Sequence, residues 1–425
     1  MPRAWGVRVG VAGGLAIALT GLSTVTVPVP VAAKPRSHDT GPDRSCAVAE
    51  GSTSKLHLSA TPWGLERIGP ERAWPLSRGR GVKVAVIDSG VSTGPEVLRG
   101  AVVGGHDYLA AGDGTCDQYG HGTLVASIIA GREARSAPYF GVAPEAQILS
   151  YRVLLDSRPG SANTPHNIAD AIDRAVDAGA RVINLSLITD PTDEVRAAVR
   201  RAVDRDVVLV AAAGNEGGSA AEGSLEYPAA LPGVLAVGGI DERGGHVGSS
   251  NTASYLEIAA PGDQMEGPAP AGGGYLRFKE GGTSFAAPYV SGTAALLRAY
   301  DPDLSAEQVR DRIIRTADHP PEGWNETVGY GVVNPYRALS AILKDDVPTH
   351  APVGGQAMSD PHATVDPMRH TEIVASVLTA ALLLLALLAL IASRVVPRGR
   401  LRSWRAGRAD RAGTPPSRPT VRRET

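Results

Sequence analysis

RVINLSLITDPTDEVRAAVRRAVDRDVVLVAAA occupies residues 181–213. RVINLSL at 181–187 and VVLVAAA at 207–213 are short, mostly apolar runs, as expected of strands buried on both faces. Between them, DEVRAAVRRAVDRD at 193–206 spaces Val and Ala three and four residues apart among charges, the period of an amphipathic helix. Strand, helix and strand in this order make one crossover unit, and crossover units build parallel sheets.

The alternation continues outward in both directions. VKVAVI at 82–87, QILSYRVL at 147–154 and GVLAVGGI at 233–240 read as further buried strands, and NIADAIDRAVDAGA at 167–180 as a helix. The body from about 61 to 342 is therefore predicted to be α/β, with a mostly parallel central sheet covered by helices on both faces, three layers in all. In such sheets chemistry gathers beyond the carboxyl ends of the strands.

Four polar side chains stand in Gly-rich surroundings at such ends. Asp88 closes the first strand in VAVIDSGV. His121 lies between Gly120 and Gly122 in DQYGHGTLVASIIAG, ahead of an apolar helix pattern. Asn215 follows a strand in VAAAGNEGG, and Ser284 opens another helix pattern in GGTSFAAPYVSG at 281–292. Alone, each has a structural reading: a loop cap, a histidine at a helix start, a turn asparagine and a helix N-cap. Together they are an acid, an imidazole, a carboxamide and a hydroxyl. A serine hydroxyl needs a base to become a nucleophile, the base needs an orienting acid, and the oxyanion that forms needs fixed donors.

VIDSGV, GHGTLVASIIAG, AAAGNEG and GGTSFAAPYVSG, in that order, resemble the four signature blocks of the subtilisin-like serine proteases. The order Asp, His, Ser is the subtilisin order. The sequence is more similar still to the mycosins, the membrane-anchored subtilases of actinobacterial type VII secretion systems. HGTLVA, GTSFAAPYVSG with Phe285 and Tyr289, and GYGVVNPYRAL at 329–339 carry that likeness. The resemblance implies a subtilisin-like fold over 61–342 with Asp88, His121 and Ser284 as catalytic triad. It implies Asn215 as the oxyanion-hole side chain, the Ser284 N–H as the second donor, and Gly281, Gly282 and Thr283 as the lead-in over which substrate approaches. Ser186, Ile188, Thr189 and Gly214 would line the substrate cleft.

The chain departs from the family at two places. Subtilisins usually have paired glycines soon after the strand RVINLSL, where substrate lies as an added strand; Ile188 and Thr189 stand there instead. That points to a narrowed cleft and a restricted set of substrates. Secreted subtilases usually carry a folded propeptide, but residues 34–60 are too few for a domain with its own core and are expected to form an arm. No EF-hand loop or cluster of oxygen ligands is legible, so neither metal nor cofactor is expected.

Residues 1–33 hold Arg3 and Arg8, an apolar Gly- and Ala-rich stretch, and a small-residue end at Val31, Ala32 and Ala33, the pattern of a secretory signal peptide. From Ile373 to Ala392 the only polar residues are Ser376 and Thr379, and no residue is charged. As a helix that run would span roughly 30 Å, the thickness of a bilayer core. Residues 394–425 carry ten Arg and two acids, a net of +8 against a formal total of −2 for the whole chain. The basic side is expected to face the cytoplasm and the acidic body the outside. An acidic body with a basic tail is not a nucleic-acid binder by composition. Residues 343–371, with several Pro and no apolar period, read as a linker. The two cysteines, Cys46 and Cys116, both fall in the exported part and are expected to form a disulfide. The expected partners are exported protein substrates, the membrane through one helix and, by resemblance, a type VII secretion complex.

Overall fold

The structure, a computed structural model, describes residues 46, 56–155, 164–217, 225–278, 282–343 and 397. The proposed signal peptide 1–33, most of the arm 34–60, the linker 343–371 apart from Leu343, the apolar stretch 373–392, the tail 394–425 apart from Pro397, and Gly281 lie outside the described residues. Among the described residues no helix is long and apolar enough to cross a membrane.

Seven strands form the central sheet: β1 (Lys83–Asp88), β2 (Val102–Asp107), β3 (Gln147–Arg152), β4 (Val182–Leu185), β5 (Val208–Ala212), β6 (Val234–Ile240) and β7 (Ile258–Pro261). They pair in the order β2-β3-β1-β4-β5-β6-β7, with every neighbouring pair parallel. The order reverses at β1: β2 and β3 extend the sheet to one side, β4 to β7 to the other. Such a reversal opens a crevice at the carboxyl ends of the strands, and Asp88 is the last residue of β1.

Side chains alternate across each strand, so each strand contributes to two cores. Val84, Val86, Val208 and Val210 face α2 (His121–Ala130) and α5 (Thr283–Tyr300). Ala85, Ile87, Leu209 and Ala211 face α3 (Thr164–Asp177) and α4 (Asp193–Asp204). The protein is thus a three-layer α/β structure. Short helices α1 (Trp63–Ile68), α6 (Ala306–Arg315) and α7 (Pro335–Ser340) and a ribbon of β8 (Glu266–Pro268) with β9 (Tyr275–Arg277) complete the body.

Strands β2 and β7 escape a search for apolar runs for physical reasons. β2, VVGGHD, is an edge strand with half-exposed positions and needs no continuous apolar face. β7 is only four residues long and ends on Pro261. The arm is fixed to the body twice. Cys46 is disulfide-bonded to Cys116, with Cα atoms 5.4 Å apart, and Leu56 exchanges backbone hydrogen bonds of 2.8 and 3.1 Å with Tyr275.

Candidate active site

The buried Asp88 and His121 meet at the switch point. Asp88 is fully buried and His121 is 6% exposed. His121 Nδ1 lies 2.8 Å from Asp88 Oδ1, which also accepts the Ser89 N–H at 2.7 Å. This contact makes Nδ1 the donor and leaves Nε2 as the basic nitrogen of the neutral ring. Burial opposes protonation of His121, but the Asp88 charge and hydrogen bond outweigh it, with Asp117 adding, so the imidazole is held above its ordinary value.

A second carboxylate, Asp117, fixes this arrangement and was not singled out from the sequence. Its oxygens accept from Ser89 Oγ (3.0 Å), the N–H groups of Tyr119 (3.1 Å), Gly120 (2.7 Å) and Thr123 (2.8 Å), and Thr123 Oγ1 (2.6 Å). Ser89 Oγ in turn accepts the Gly122 N–H at 3.0 Å. The end of β1 and the first turn of α2 are therefore stitched together on both sides of the imidazole. The available signal was position: an acid four residues ahead of His121 in a Gly-containing loop that opens a helix.

Ser284 is the second residue of α5 and the one residue from Gly282 to Leu297 that is not fully buried. Its first-turn N–H has no intrahelical carbonyl to bond. The ring of the next residue, Phe285, lies 5.0 Å from the His121 ring between centroids, which brings the start of α5 beside His121. Pro288, four residues on, has no N–H to give to the Ser284 carbonyl. Ser186 supplies the missing donor, its Oγ standing 2.7 Å from that carbonyl. Ser186 Oγ accepts from Asn184 Nδ2 (2.8 Å), and Asn184 Oδ1 accepts from Ser291 Oγ (2.8 Å). A buried polar chain thus ties the start of α5 to β4, and the orphan carbonyl left by Pro288 is what anchors it.

Asn215 follows β5. Its Oδ1 accepts from the Thr283 N–H at 2.8 Å and lies 3.1 Å from Thr283 Oγ1. With the carbonyl end held, the NH₂ end is the part left to act as a donor. A Cβ on Gly282 would stand 2.5 Å from Asn215 Oδ1 and 2.7 Å from Nδ2, so only glycine fits beneath this carboxamide. Asn251, also unmarked by the sequence, shapes the loop. It accepts the N–H groups of Glu216 (2.7 Å) and Gly217 (3.0 Å) and donates to the Ala213 carbonyl (3.2 Å).

Of the remaining cleft candidates, Ser186 is the buried link just described. Gly214 sits at φ +102° beside Asn215, and Ile188 and Thr189 are half-buried. The Thr189 N–H donates to the Tyr227 carbonyl at 2.8 Å. Cys116, bonded to the arm, lies in the same loop as Asp117, so the arm is fastened five residues before His121.

The Asp88–His121 pair is an oriented base, and the held carbonyl end of Asn215 leaves its NH₂ as a fixed donor near the start of α5. Residues 79–331 match the model of the subtilase family, Peptidase S8. Mycosin-4 of Mycobacterium tuberculosis is 36% identical over 374 residues, spanning 76% of this chain and 79% of its own length. Subtilisin Savinase of Lederbergia lenta is 36% identical over 277 residues, 65% of this chain and 97% of that protein. Among solved structures, the MycP3 protease from the type VII (ESX-3) secretion system superposes with a TM-score of 0.60 at 35% identity, covering 68% of this chain and 92% of that one. A chain of the intact ESX-5 inner membrane complex superposes with a TM-score of 0.60 at 32% identity, covering 82% and 93%.

Proposed function

We propose, from the premise that this chain belongs to the subtilase family and is a serine protease, that it is a membrane-anchored, mycosin-like endopeptidase acting outside the cytoplasm on a few exported proteins. The observation that carries the catalytic part is the buried 2.8 Å contact between His121 Nδ1 and Asp88 Oδ1. Such a contact orients Nε2 toward a nucleophile. In this mechanism His121 takes the proton of Ser284, whose oxygen attacks the peptide carbonyl. The oxyanion is held by Asn215 Nδ2 and the Ser284 N–H at the positive end of α5. His121 then gives its proton to the leaving amine, and water repeats the sequence to release the acyl group. Ser186, Ile188, Thr189 and Gly214 bind the substrate as an added strand. The β-branched pair Ile188 and Thr189 narrows that cleft.

The signal-like residues 1–33, the apolar stretch 373–392 and the Arg-rich tail behind it support export and anchoring with the tail inside. The likeness to a MycP3 protease and to a chain of an ESX-5 inner membrane complex supports service in a type VII secretion system. The second of these also favours another reading, in which the folded body is a structural part of the membrane complex and proteolysis is secondary.

Cells carrying Ser284→Ala are compared with cells lacking the gene, by mass spectrometry of their exported proteins. Uncleaved precursors in both strains, with export otherwise intact, is the expected result. Export lost only in the deletion makes the structural role dominant, and processing that survives Ser284→Ala removes the peptidase reading.

A further inference from the structure

The chemistry at His121 divides the cleft into two sides. The leaving amine takes its proton from His121, so the residue after the scissile bond lies beside His121 and Phe285, whose rings are 5.0 Å apart. On the cleft proposed above, the residue before the bond then lies on the other side of Asn215, over Gly214 and along Ser186–Thr189. What stands at the end of that slot decides which side chain it accepts.

Glu226 stands there. A Cβ on Gly214 would come within 2.8 Å of Glu226 Cγ, so the glutamate stem lies directly against the glycine that precedes Asn215. The segment is clamped on two sides. The Thr189 N–H donates to the Tyr227 carbonyl at 2.8 Å. The Glu226 N–H donates to Tyr255 Oη at 3.3 Å, and Tyr255 Oη donates to the Ala213 carbonyl at 2.9 Å. Glu226 thus closes the gap between the 186–189 edge and the 213–215 loop. It is half-buried, and no basic side chain among the described residues offsets it. The nearby Arg196 stacks over the Tyr227 ring, 5.0 Å from its centroid, and donates to the Pro191 carbonyl at 3.0 Å. Burial first, and the Glu216 charge second, push the Glu226 carboxyl above its ordinary value. A cation beside Glu226 relieves the desolvation of its carboxylate.

We propose that Glu226 is the specificity-determining residue of the acyl side, and that the protease cleaves after Lys or Arg. The stem of such a side chain runs along Gly214 and its charge reaches Glu226. An acidic residue before the bond meets a like charge, and an aliphatic one leaves the half-buried carboxylate without a partner. This inference rests on the peptidase reading above.

The test uses the purified protein and internally quenched peptides identical except for Arg, Leu or Glu at one central position. A fluorophosphonate probe is applied first. Labelling shows a working nucleophile in a folded protein, and absence of labelling in the wild type overturns the peptidase reading and this inference with it. In the labelled wild type, kcat/KM for the Arg peptide should exceed that for the Glu peptide about 100-fold, with Leu between, and the ratio should fall as salt is added. Glu226→Gln should reduce the Arg-to-Glu ratio about tenfold or more, and Glu226→Lys should reverse it. A labelled wild type that cleaves the Leu or Glu peptide as well as the Arg peptide refutes the inference without touching the peptidase reading. So does an Arg preference that stays within twofold in both Glu226 variants. If neither variant labels, the wild-type ratio and its salt dependence decide.

Discussion

The two helix layers of this protein bury their faces against the same sheet, yet they are built differently. On one side, all ten residues of α2 are buried, and α5 is buried from Thr283 to Arg298 except at Ser284. Both begin behind a glycine that makes no side-chain cap, Gly120 and Gly282. Their first-turn N–H groups are instead taken by Ser89 and by Asp117, which is bonded to it, for α2, and by the remote Asn215 for α5. On the other side, α3 and α4 are amphipathic, with an apolar stripe inward and ion pairs outward. There α4 is capped locally, Thr192 accepting from the Val195 N–H. A local cap ends a helix; a remote one ties it to another element. The layer that carries the candidate site has its helix starts tied to the ends of β1 and β5, which fixes where His121 and Ser284 stand.

If that contrast is right, the largest losses come from changes at the tied helix starts. Asp88→Asn leaves the shape of the site but removes the charge that orients His121, and turnover should fall about 10⁴-fold. The pH profile should change too. The general base must be neutral, so wild-type kcat/KM should rise with pH through the raised His121 value, above the ordinary imidazole value of about 6.5. Burial lowers that value and Asp88 is the main cause raising it, so in Asp88→Asn the midpoint should move to lower pH. A midpoint that stays put or moves up would mean that His121 is not the group being titrated.

Asn215→Ala should cost less. It removes one oxyanion donor, so kcat should drop about 10²- to 10³-fold with little change in KM. It also leaves the Thr283 N–H without its acceptor, so a modest loss of melting temperature should accompany it. A change confined to KM would make Asn215 a ground-state contact and weaken the assignment.

The contrast also explains what could be read from the sequence. The strands β1, β3, β4, β5 and β6 announce themselves because they are buried on both faces and so are mostly apolar. Helices α3 and α4 announce themselves by amphipathic period. The candidate catalytic residues are legible because Gly-rich lead-ins and buried helices surround single polar side chains. Asp117, Asn251 and Glu226 are less legible. Asn251 acts through space on a loop 35 residues away, which no local period or spacing marks. Asp117 shows only as an acid in a Gly-containing loop four residues ahead of His121, and its bond to Ser89, 28 residues away, cannot be read locally. Pro288 looks like a helix breaker in isolation; only the bond from Ser186 to the Ser284 carbonyl shows what the break is for.

The smallest effect belongs to the outer face of the other layer. Arg201 of α4 holds Asp173 of α3 with two bonds, Nε to Oδ1 at 2.9 Å and Nη2 to Oδ2 at 2.6 Å. The geometry is that of a strong bidentate pair, but the side chains are 54% and 39% exposed. Water and salt screen the attraction, and ordering two long side chains offsets much of it. The helices are already held by Ile168, Ile172, Val195 and Val199 beneath, each buried against the sheet. A double-mutant cycle with Arg201→Ala and Asp173→Ala should therefore give a coupling of at most about 1 kcal/mol, shrinking in high salt. Peptidase activity should be the same in all four proteins, since no tie from α3 or α4 reaches the ends of β1 or β5 among the bonds described above. A coupling of several kcal/mol, or a fall in kcat in either single variant, would show that this layer also positions the site, and the division between a chemical face and a supporting face would fail.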